Sequence, residues 1–310
     1  MNILKTWTKA LLAILLVGPA GAGAVDIRFQ PVADGVYAHI GDIGPRTAAN
    51  EGLNANIGLV LTRTGAILID SGATQETARQ IEEAVRVVTA KPVRWVVNTG
   101  GQDHRWLGNG YFAGRGAELI AHAAAVPDMR SRGGDQLAAL RALLGAKADG
   151  TVPALPTRLI GTADARVELD GVEVQFRHRG GGHTPGDLMV WLPQSRVLFA
   201  GDIVYVDRML AVLPVSSTRS WLEAFAVVEQ LAPARIVPGH GRVTDLALAR
   251  QHTLAYLRNL RAHMKKAVDA NTEISEAIRS FDVSPFDRLV NAAELHPGNA
   301  SRVYLEIERE

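Results

Sequence analysis

An α/β fold, in which short strands alternate with helices, is predicted from three observations. The 310 residues are 47% hydrophobic, which is enough for one large domain with an extensive core. Apolar runs of strand length flank turn residues, as at Met189–Leu192 and 197–200 around the turn at 193–195. The strand pattern Val93–Val97 leads through a polar loop into a helix. In α/β folds, functional side chains lie at the carboxyl end of such a strand.

The remaining elements follow from hydrophobic spacing and turn residues. Strands are predicted at residues 35–40, 57–61, 66–70, 93–97, 118–121, 166–169, 172–178, 189–192, 197–200 and 234–237. Helices are predicted at residues 74–88, 135–144, 220–231 and 246–268, with two shorter helices after them. Residues 41–56, rich in Gly and Asn, are expected to form either a mobile loop over one end of the sheet or an ordinary surface loop.

Composition restricts the partners of the chain. The net charge is +1 from 33 basic and 32 acidic residues, so no charge imbalance indicates nucleic acid or an anionic membrane. A small-molecule partner is expected, and the sequence does not indicate an oligomeric state. The chain has no cysteine, which excludes a disulfide framework and a thiolate ligand or nucleophile.

The first 24 residues have the pattern of a signal peptide. Lys5 and Lys9 precede an apolar run at residues 10–17, and Ala22-Gly23-Ala24 resembles a cleavage site. The alternative is a membrane anchor, but the run is shorter than the ~20 residues that span a bilayer. We therefore expect cleavage before Val25, no stable membrane insertion afterwards, and a periplasmic or secreted mature domain at residues 25–310.

Two polar clusters flank the hairpin of Met189–Leu192 and residues 197–200. His183 precedes the first strand, and Asp202 follows the second. A hairpin returns the chain to its starting end, so both side chains are expected at one edge of a sheet. Five glycines near them fit backbone that bends sharply or approaches a ligand closely: Gly180, Gly181, Gly182, Gly186 and Gly201.

Several motifs carry a resemblance to a known family, and they occur in its order and approximate spacing. They are Ile69-Asp70-Ser71-Gly72, Asp103-His104 after a strand, Gly182-His183-Thr184-Pro185-Gly186-Asp187, Leu198-Phe199-Ala200-Gly201-Asp202 and Pro238-Gly239-His240-Gly241. The sequence resembles the metallo-β-lactamase superfamily over nearly all of the mature chain. This resemblance implies an αββα sandwich whose two sheets meet at one edge, with a hydrolytic site for one or two metal ions there. It also implies that Asp70 lies beneath the site and is not a ligand.

The first motif departs from the family pattern His-x-His-x-Asp-His. Only the final Asp-His pair remains, at residues 103–104. Counting back from that pair places the lost histidines at Thr99 and Gly101. Anchoring on the preceding Asn-Thr pair, with a one-residue deletion, places them at Gly100 and Gln102. Both histidines are absent in either alignment.

The resemblance then implies an uneven metal site. The first half-site retains only His183, whereas the second has Asp103, His104 and His240, with Asp202 as a bridging or terminal carboxylate. Two imidazoles and two carboxylates suit zinc, with iron or manganese as alternatives. One ion is expected rather than two.

This site predicts an exported metal-dependent hydrolase. A bound metal lowers the pKa of water from ~15.7 to ~7. Asp103 would orient the resulting hydroxide or take its proton, and His183 would hydrogen-bond the water or the substrate. The expected target is the carbonyl of an ester, thioester, lactone or β-lactam. The alternative is a ligand-binding pseudoenzyme of the same fold. Iron-dependent sulfur oxygenation is disfavoured because it relies on a missing first-motif histidine.

Simpler interpretations of these residues stay open. Asp103 suits a helix N-cap. His183 suits a hydrogen-bonding residue left after loss of the site, and Asp202 suits an acceptor of backbone N–H groups.

Residues outside the motifs give three further expectations. A helix is expected to begin at residues 105–109 with its N-terminus facing the site. His122 and His178 could lie near the site. Arg208 is either solvated or a ligand for a substrate carboxylate.

Overall fold

The computed structural model describes residues 25–310 and contains two β-sheets packed face to face, with helices on both outer faces. This is the predicted αββα sandwich. The predicted signal peptide at residues 1–24 lies outside the described residues. Within the described part of the chain, no helix is long and apolar enough to cross a membrane.

The first sheet has seven strands in sequential order. They are β1 (Gln30–Ala33), β2 (Val36–His39), β3 (Ile57–Leu61), β4 (Ala66–Ile69), β5 (Val93–Val97), β6 (Glu118–His122) and β7 (Arg158–Ile160). Neighbours are antiparallel from β1 to β4 and parallel from β4 to β7. The carboxyl ends of β4 and β5 therefore meet at one edge.

The second sheet has five strands. They are β8 (Asp164–Leu169), β9 (Val172–Arg177), β10 (Met189–Leu192), β11 (Val197–Tyr205) and β12 (Arg235–His240). The order is β12-β11-β10-β9-β8, with β11 and β12 parallel and the other pairs antiparallel. The predicted hairpin of β10 and β11 is confirmed, and the predicted strands β8 and β9 also form an antiparallel hairpin. β11 extends to Tyr205, five residues beyond the predicted end.

Helices cover the outer faces of both sheets. They are α1 (Gln75–Val88), α2 (Asp103–Trp106), α3 (Asn109–Ala113), α4 (Ala125–Leu144), α5 (Thr218–Leu231), α6 (Leu246–Ala249), α7 (Ala255–Asp269), α8 (Ile274–Arg279) and α9 (Ala292–Glu308). A π-helical turn at Arg250–Leu254 joins α6 to α7, so the predicted long helix is interrupted. α9 is longer than predicted.

The layers are held by separate apolar clusters. One lies between the sheets and includes Ile69 and Phe199. Another packs α1 on the first sheet through Ile81 and Val85, and a third packs α5, α7 and α9 on the second sheet. α1 begins where predicted because the Thr74 hydroxyl accepts a hydrogen bond from the Thr77 backbone N–H.

α4 begins at Ala125, ten residues before the predicted start. Pro127 lies in the first turn, where the missing N–H costs no helical hydrogen bond. Gly133 is buried against Trp106, and a Cβ there would lie 2.9 Å from the indole ring. The glycine that weakens the sequence signal thus allows α4 to pack closely on α2.

The second half of the loop at residues 41–56 is neither the mobile loop nor the ordinary surface loop that the sequence predicts. Residues 50–56 are all buried. The Asn56 side chain donates to the backbone oxygens of Pro238 and Gly241, 2.8 Å away in each case. This loop therefore packs against the end of β12 and forms part of the wall of the candidate site.

Candidate metal centre

The buried polar side chains converge where the two sheets meet. His104 lies on α2 directly after β5, His183 in the loop before β10, Asp202 within β11, and His240 at the end of β12. Gly201, with a φ of +51°, produces an irregularity in the β11–β12 register immediately before Asp202. Irregularities of this kind are common beside functional sites, where they change the direction of a side chain.

Three of these residues could hold a metal ion. His104, Asp202 and His240 each offer one ligand atom, and these atoms lie within 4.8 Å of one another. Nε2 of His240 lies 3.4 Å from Oδ1 of Asp202, and Nε2 of His183 lies 3.9 Å from Oδ2. His183 is thus beside the group of three.

Backbone contacts fix the tautomers of two histidines. Nδ1 of His183 lies 2.8 Å from the Ala211 carbonyl oxygen, and Nδ1 of His240 lies 2.8 Å from that of Asn54. A carbonyl only accepts, so each Nδ1 carries the hydrogen and each Nε2 presents a lone pair toward Asp202. A carbonyl partner on the other ring nitrogen is typical of a metal-ligating histidine.

His104 supports the same conclusion. Both of its ring nitrogens are buried without a hydrogen bond, although Nδ1 lies 3.3 Å from Oδ1 of Asp103. Leaving a buried polar group unsatisfied costs about 1–3 kcal/mol. A metal ion bound by one His104 ring nitrogen would remove that cost for the bound nitrogen.

The imidazoles are neutral near pH 7, as metal ligation requires. Burial, followed by the charge of Arg105 and the neighbouring His240, holds the pKa of His104 well below its usual range. Burial also lowers the pKa of His183, and it lowers that of His240 to about 4. Two neutral imidazoles and a carboxylate match the donor set of catalytic zinc sites, so the residues present fit one metal ion.

Arg105 is the most heavily engaged buried charge beside the group. Its Nε and Nη2 donate to the two carboxylate oxygens of Asp202 at 2.6 Å each, and its Nη1 donates to Asp70 at 2.6 Å. Burial opposes ionisation of Asp202, but Arg105, with His183 and His240, holds the Asp202 pKa well below its usual range. Asp70, beneath the site as expected, anchors the other end of the guanidinium.

Asp103, predicted as a ligand and catalytic residue, faces a different partner. It accepts a charged hydrogen bond from Arg46 of the loop at 41–56. Its Oδ1 also accepts from the His104 backbone N–H at 2.9 Å. Asp103 is not in the group of three ligands, and its role as a ligand stays a prediction.

A cavity of about 390 Å³ opens onto the group. Its polar lining residues include Arg46, Arg208, His183 and Tyr205, and its apolar lining residues include Leu140 and Leu143 of α4. Arg208 is only 8% exposed, and its Nε is buried without a hydrogen bond. Arg208 is thus not the solvated arginine that the sequence also allowed.

Two expectations remain: a helix beginning at residues 105–109, and the positions of His122 and His178 near the site. The helix begins at Asp103, ends at Trp106 and resumes at Asn109. His122 and His178 stack with ring centroids 3.6 Å apart, and Nδ1 of His178 lies 2.8 Å from the Asp187 backbone oxygen. This pair therefore contacts the loop that carries His183 and not the group of three.

Comparison with known proteins identifies the family. A model described as the metallo-β-lactamase superfamily matches residues 50–240, more than half of the chain. The chain belongs to this superfamily. It is 32% identical over 92 residues to a metallo-β-lactamase type 2 of Bacteroides fragilis, covering 28% of this chain and 37% of that protein.

Other proteins match more of the chain. It is 26% identical over 215 residues to the 2,4-dinitroanisole O-demethylase subunit alpha of a Nocardioides strain, covering 69% of this chain and 55% of that protein. The chain thus spans about half or less of these two curated relatives. A solved metallo-β-lactamase from Pontibacter korlensis shares the fold, with a TM-score of 0.62 and 22% identity over 75% of this chain and 99% of that one.

Superfamily membership and the geometry together favour an ungapped register for the first motif. Reading His-x-His-x-Asp-His from residue 100 places the two lost histidines at Gly100 and Gln102, the aspartate at His104 and the last histidine at Arg105. This register explains why His104 enters the ligand group and why Arg105 contacts Asp202. The Asp-His pair at residues 103–104 matches the end of the family motif, and it therefore favoured a different alignment from the sequence alone.

Proposed function

We propose that the protein is a metal-dependent hydrolase that holds one ion, zinc or alternatively iron or manganese, through His104, Asp202 and His240. The observation that carries this proposal is that imidazole nitrogens without a hydrogen-bond partner lie around one carboxylate. Nε2 of His240 faces Asp202 at 3.4 Å, and His104 has no other partner. Three protein ligands leave a further coordination position open, as in catalytic zinc sites.

A bound metal ion supplies Lewis acidity and lowers the pKa of water. The chain positions the other groups. Nε2 of His183 is an acceptor that lines the cavity 3.9 Å from Asp202, so it takes a hydrogen bond or proton from the attacking water. Tyr205 stacks on His240 with ring centroids 4.9 Å apart and holds that imidazole in place. The His183 and His240 side chains are both buried, which limits their contact with bulk water.

The cavity favours a carbonyl substrate with an anionic group. Among the described residues, no carboxylate lies within ion-pair distance of Arg208, whose Nε lacks a partner. Arg46 and Arg208 are close enough that the charge of Arg208, after burial, lowers the pKa of Arg46. Leu140 and Leu143 of α4 also line the cavity and suit an apolar substituent. Esters, thioesters, lactones and β-lactams that carry a carboxylate combine these features.

A ligand-binding protein without catalysis is the second candidate. It is favoured by one observation: Arg105 already compensates the charge of Asp202 through two 2.6 Å hydrogen bonds. The same cavity would then bind an anionic small molecule without hydrolysing it.

Metal content and hydrolysis distinguish the two candidates. Protein purified without added metal is analysed for zinc, iron and manganese, and then assayed on paired esters, thioesters, lactones and β-lactams with and without a carboxylate. We expect about one metal ion per chain, hydrolysis of at least one carboxylate-bearing compound, and loss of both in His240→Ala. His263→Ala is the matched control, since Nε2 of His263 contacts the Ala277 backbone oxygen in another part of the chain. Absence of metal and of hydrolysis, with retained ligand binding, would favour the second candidate.

Export is proposed from the sequence pattern of residues 1–24 alone. The mature chain is expected to begin at Val25 in a periplasmic or secreted fraction. Intact-mass measurement tests this, and a retained Met1 in a membrane pellet would contradict it.

A further inference from the structure

The lining of the cavity contains a buried amide oxygen that has no hydrogen-bond donor. Asn54, in the loop between β2 and β3, lines the cavity and is 4% exposed. Within the described part of the chain, its Oδ1 is buried and has no partner. Leaving a buried acceptor unpaired costs free energy. A bound molecule that supplies a donor to this oxygen would remove that cost.

The other end of the amide fixes its orientation. Nδ2 of Asn54 donates to the backbone oxygen of Gly44 at 3.0 Å. Turning the amide over would place Oδ1 against that oxygen, and two acceptors cannot hydrogen-bond to each other. The unpartnered atom of Asn54 is therefore an acceptor, and the group that suits it is an N–H or O–H donor.

The backbone of Asn54 places this acceptor beside the candidate metal centre. The Asn54 carbonyl oxygen contacts Nδ1 of His240 at 2.8 Å. The same residue thus fixes the ring of one candidate ligand and contributes its side chain to the cavity lining. Groups that flank a carbonyl bound at the centre would lie on this part of the lining.

Arg208 is a neighbour of Asn54 in the lining. Its Nη1 donates to the same Gly44 oxygen at 3.1 Å, and its Nε is a buried donor without a partner. A cationic donor and a neutral acceptor are thus held by one carbonyl group. A carboxylate suits the first and an uncharged N–H suits the second. A charged donor is unsuitable, because it would lie beside Arg208 and Arg46 of the same cavity.

We propose that Asn54 selects substrates that carry an amide N–H next to their carboxylate, as N-acylamino acids do. This inference rests on the proposed function, because it names the substrate class of the same cavity. Asn54 is a specificity-determining residue: its Oδ1 accepts a hydrogen bond from the substrate N–H. An analogue without that hydrogen leaves the buried oxygen unpaired, which should lower its affinity by about tenfold or more.

The test uses two ligands that differ only in this group. Phenylacetylglycine carries the N–H. In its ketone analogue a methylene group replaces the N–H, while the carbonyl, the carboxylate and the apolar ring are kept. Calorimetry measures the affinity of both for the protein as purified and for the Asn54→Leu and Gln102→Leu variants. Gln102→Leu is the matched control, because Oε1 of Gln102 is a second unpartnered amide oxygen in the cavity lining.

The expected result is a change in preference confined to one variant. The wild type and Gln102→Leu should bind phenylacetylglycine about tenfold or more tightly than the ketone, and Asn54→Leu should bind both equally. Equal affinities in the wild type, no binding of phenylacetylglycine, or a preference kept by folded Asn54→Leu would overturn the inference.

These outcomes are separate from those of the proposed function, since none of them requires metal or hydrolysis. A wild type without metal and without hydrolysis that still prefers phenylacetylglycine would overturn the hydrolase and support Asn54 as the selecting residue. If Asn54→Leu does not fold, a crystal structure of the wild type with phenylacetylglycine decides. An amide nitrogen within hydrogen-bond distance of Asn54 Oδ1 supports the inference, and any other partner for that nitrogen overturns it.

Discussion

The two sheets contribute to the candidate metal centre in different ways. The second sheet supplies Asp202 and His240 from paired strands, and a backbone carbonyl fixes the ring of His240. The loop after β5 supplies only His104 and has Gly100 and Gln102 where the family pattern has histidines. The comparison shows that side chains fixed by strand pairing keep the family pattern here, while the loop has changed without altering the sandwich.

Asp202→Ala, in the second sheet, is expected to have the largest effect on the free energy of unfolding and on metal content. This substitution removes a ligand and leaves the fully buried Arg105 charge without its bidentate partner. Removing one partner of a buried pair costs about 3–5 kcal/mol. The free energy of unfolding and the metal content should both fall, as measured by denaturant unfolding and elemental analysis. Unchanged stability would contradict the assigned role of the Arg105–Asp202 pair.

A pH series tests the burial of the second-sheet imidazole. In metal-free protein, the His240 pKa is about 4, below the value of ~6.5 expected when unfolded. The unfolded state therefore binds more protons between these values, and stability from this group is present above pH ~6.5 and lost as pH falls toward ~4.

The size of that loss is about 3 kcal/mol for His240. His240→Gln should remove this part of the pH dependence, because Gln does not titrate. Unfolding of both proteins in denaturant at several pH values provides the measurement. Parallel stability curves for the two proteins would show that His240 titrates normally.

Two neighbouring substitutions test which residue of the loop after β5 binds the metal ion. His104→Ala removes a ligand of the group of three and should weaken metal binding by about 100-fold or more. Asp103→Ala breaks the contact with Arg46 and should have a much smaller effect on metal affinity. Competition with a zinc chelator measures both affinities. The reverse ranking would restore Asp103 as the ligand expected from the sequence.

The smallest effect concerns the packing that seals the ion pair. Gly239→Ala inserts a methyl group 2.5 Å from Oδ1 of Asp202 and should cost about 1–3 kcal/mol. Gly134→Ala is the control, because its Cβ would meet nothing within 4 Å on the exposed face of α4. The control should be neutral or more stable by up to about 1 kcal/mol. Equal stability changes in thermal unfolding would contradict the close packing at Gly239.

Most of the fold could be predicted because its signals are local. The β8–β9 hairpin follows from Asp170-Gly171, which both adopt positive φ, and α1 follows from its cap and apolar face. The start of α4 could not be predicted, because Gly133 and Gly134 weaken the helix signal. Gly133 packs closely against Trp106, and this tertiary contact is not visible in the local sequence.

The candidate site was less predictable than the fold. His183, Asp202 and His240 follow from motifs. Arg105 could not be recognised as part of the site, because its role depends on the distance to Asp70 and Asp202 from two different sheets. The neighbouring Asp103 imitates a ligand in sequence, but its pairing with Arg46 of a distant loop is set by the fold.

We expect one metal ion to lie among His104, Asp202 and His240. A crystal structure with anomalous scattering at the zinc edge tests it most directly. We expect one peak per chain at ~2.0–2.2 Å from a nitrogen of each histidine and an oxygen of Asp202, with the Arg105–Asp202 hydrogen bonds intact. Two peaks, or one peak bound by Asp103 in place of His104, would contradict it.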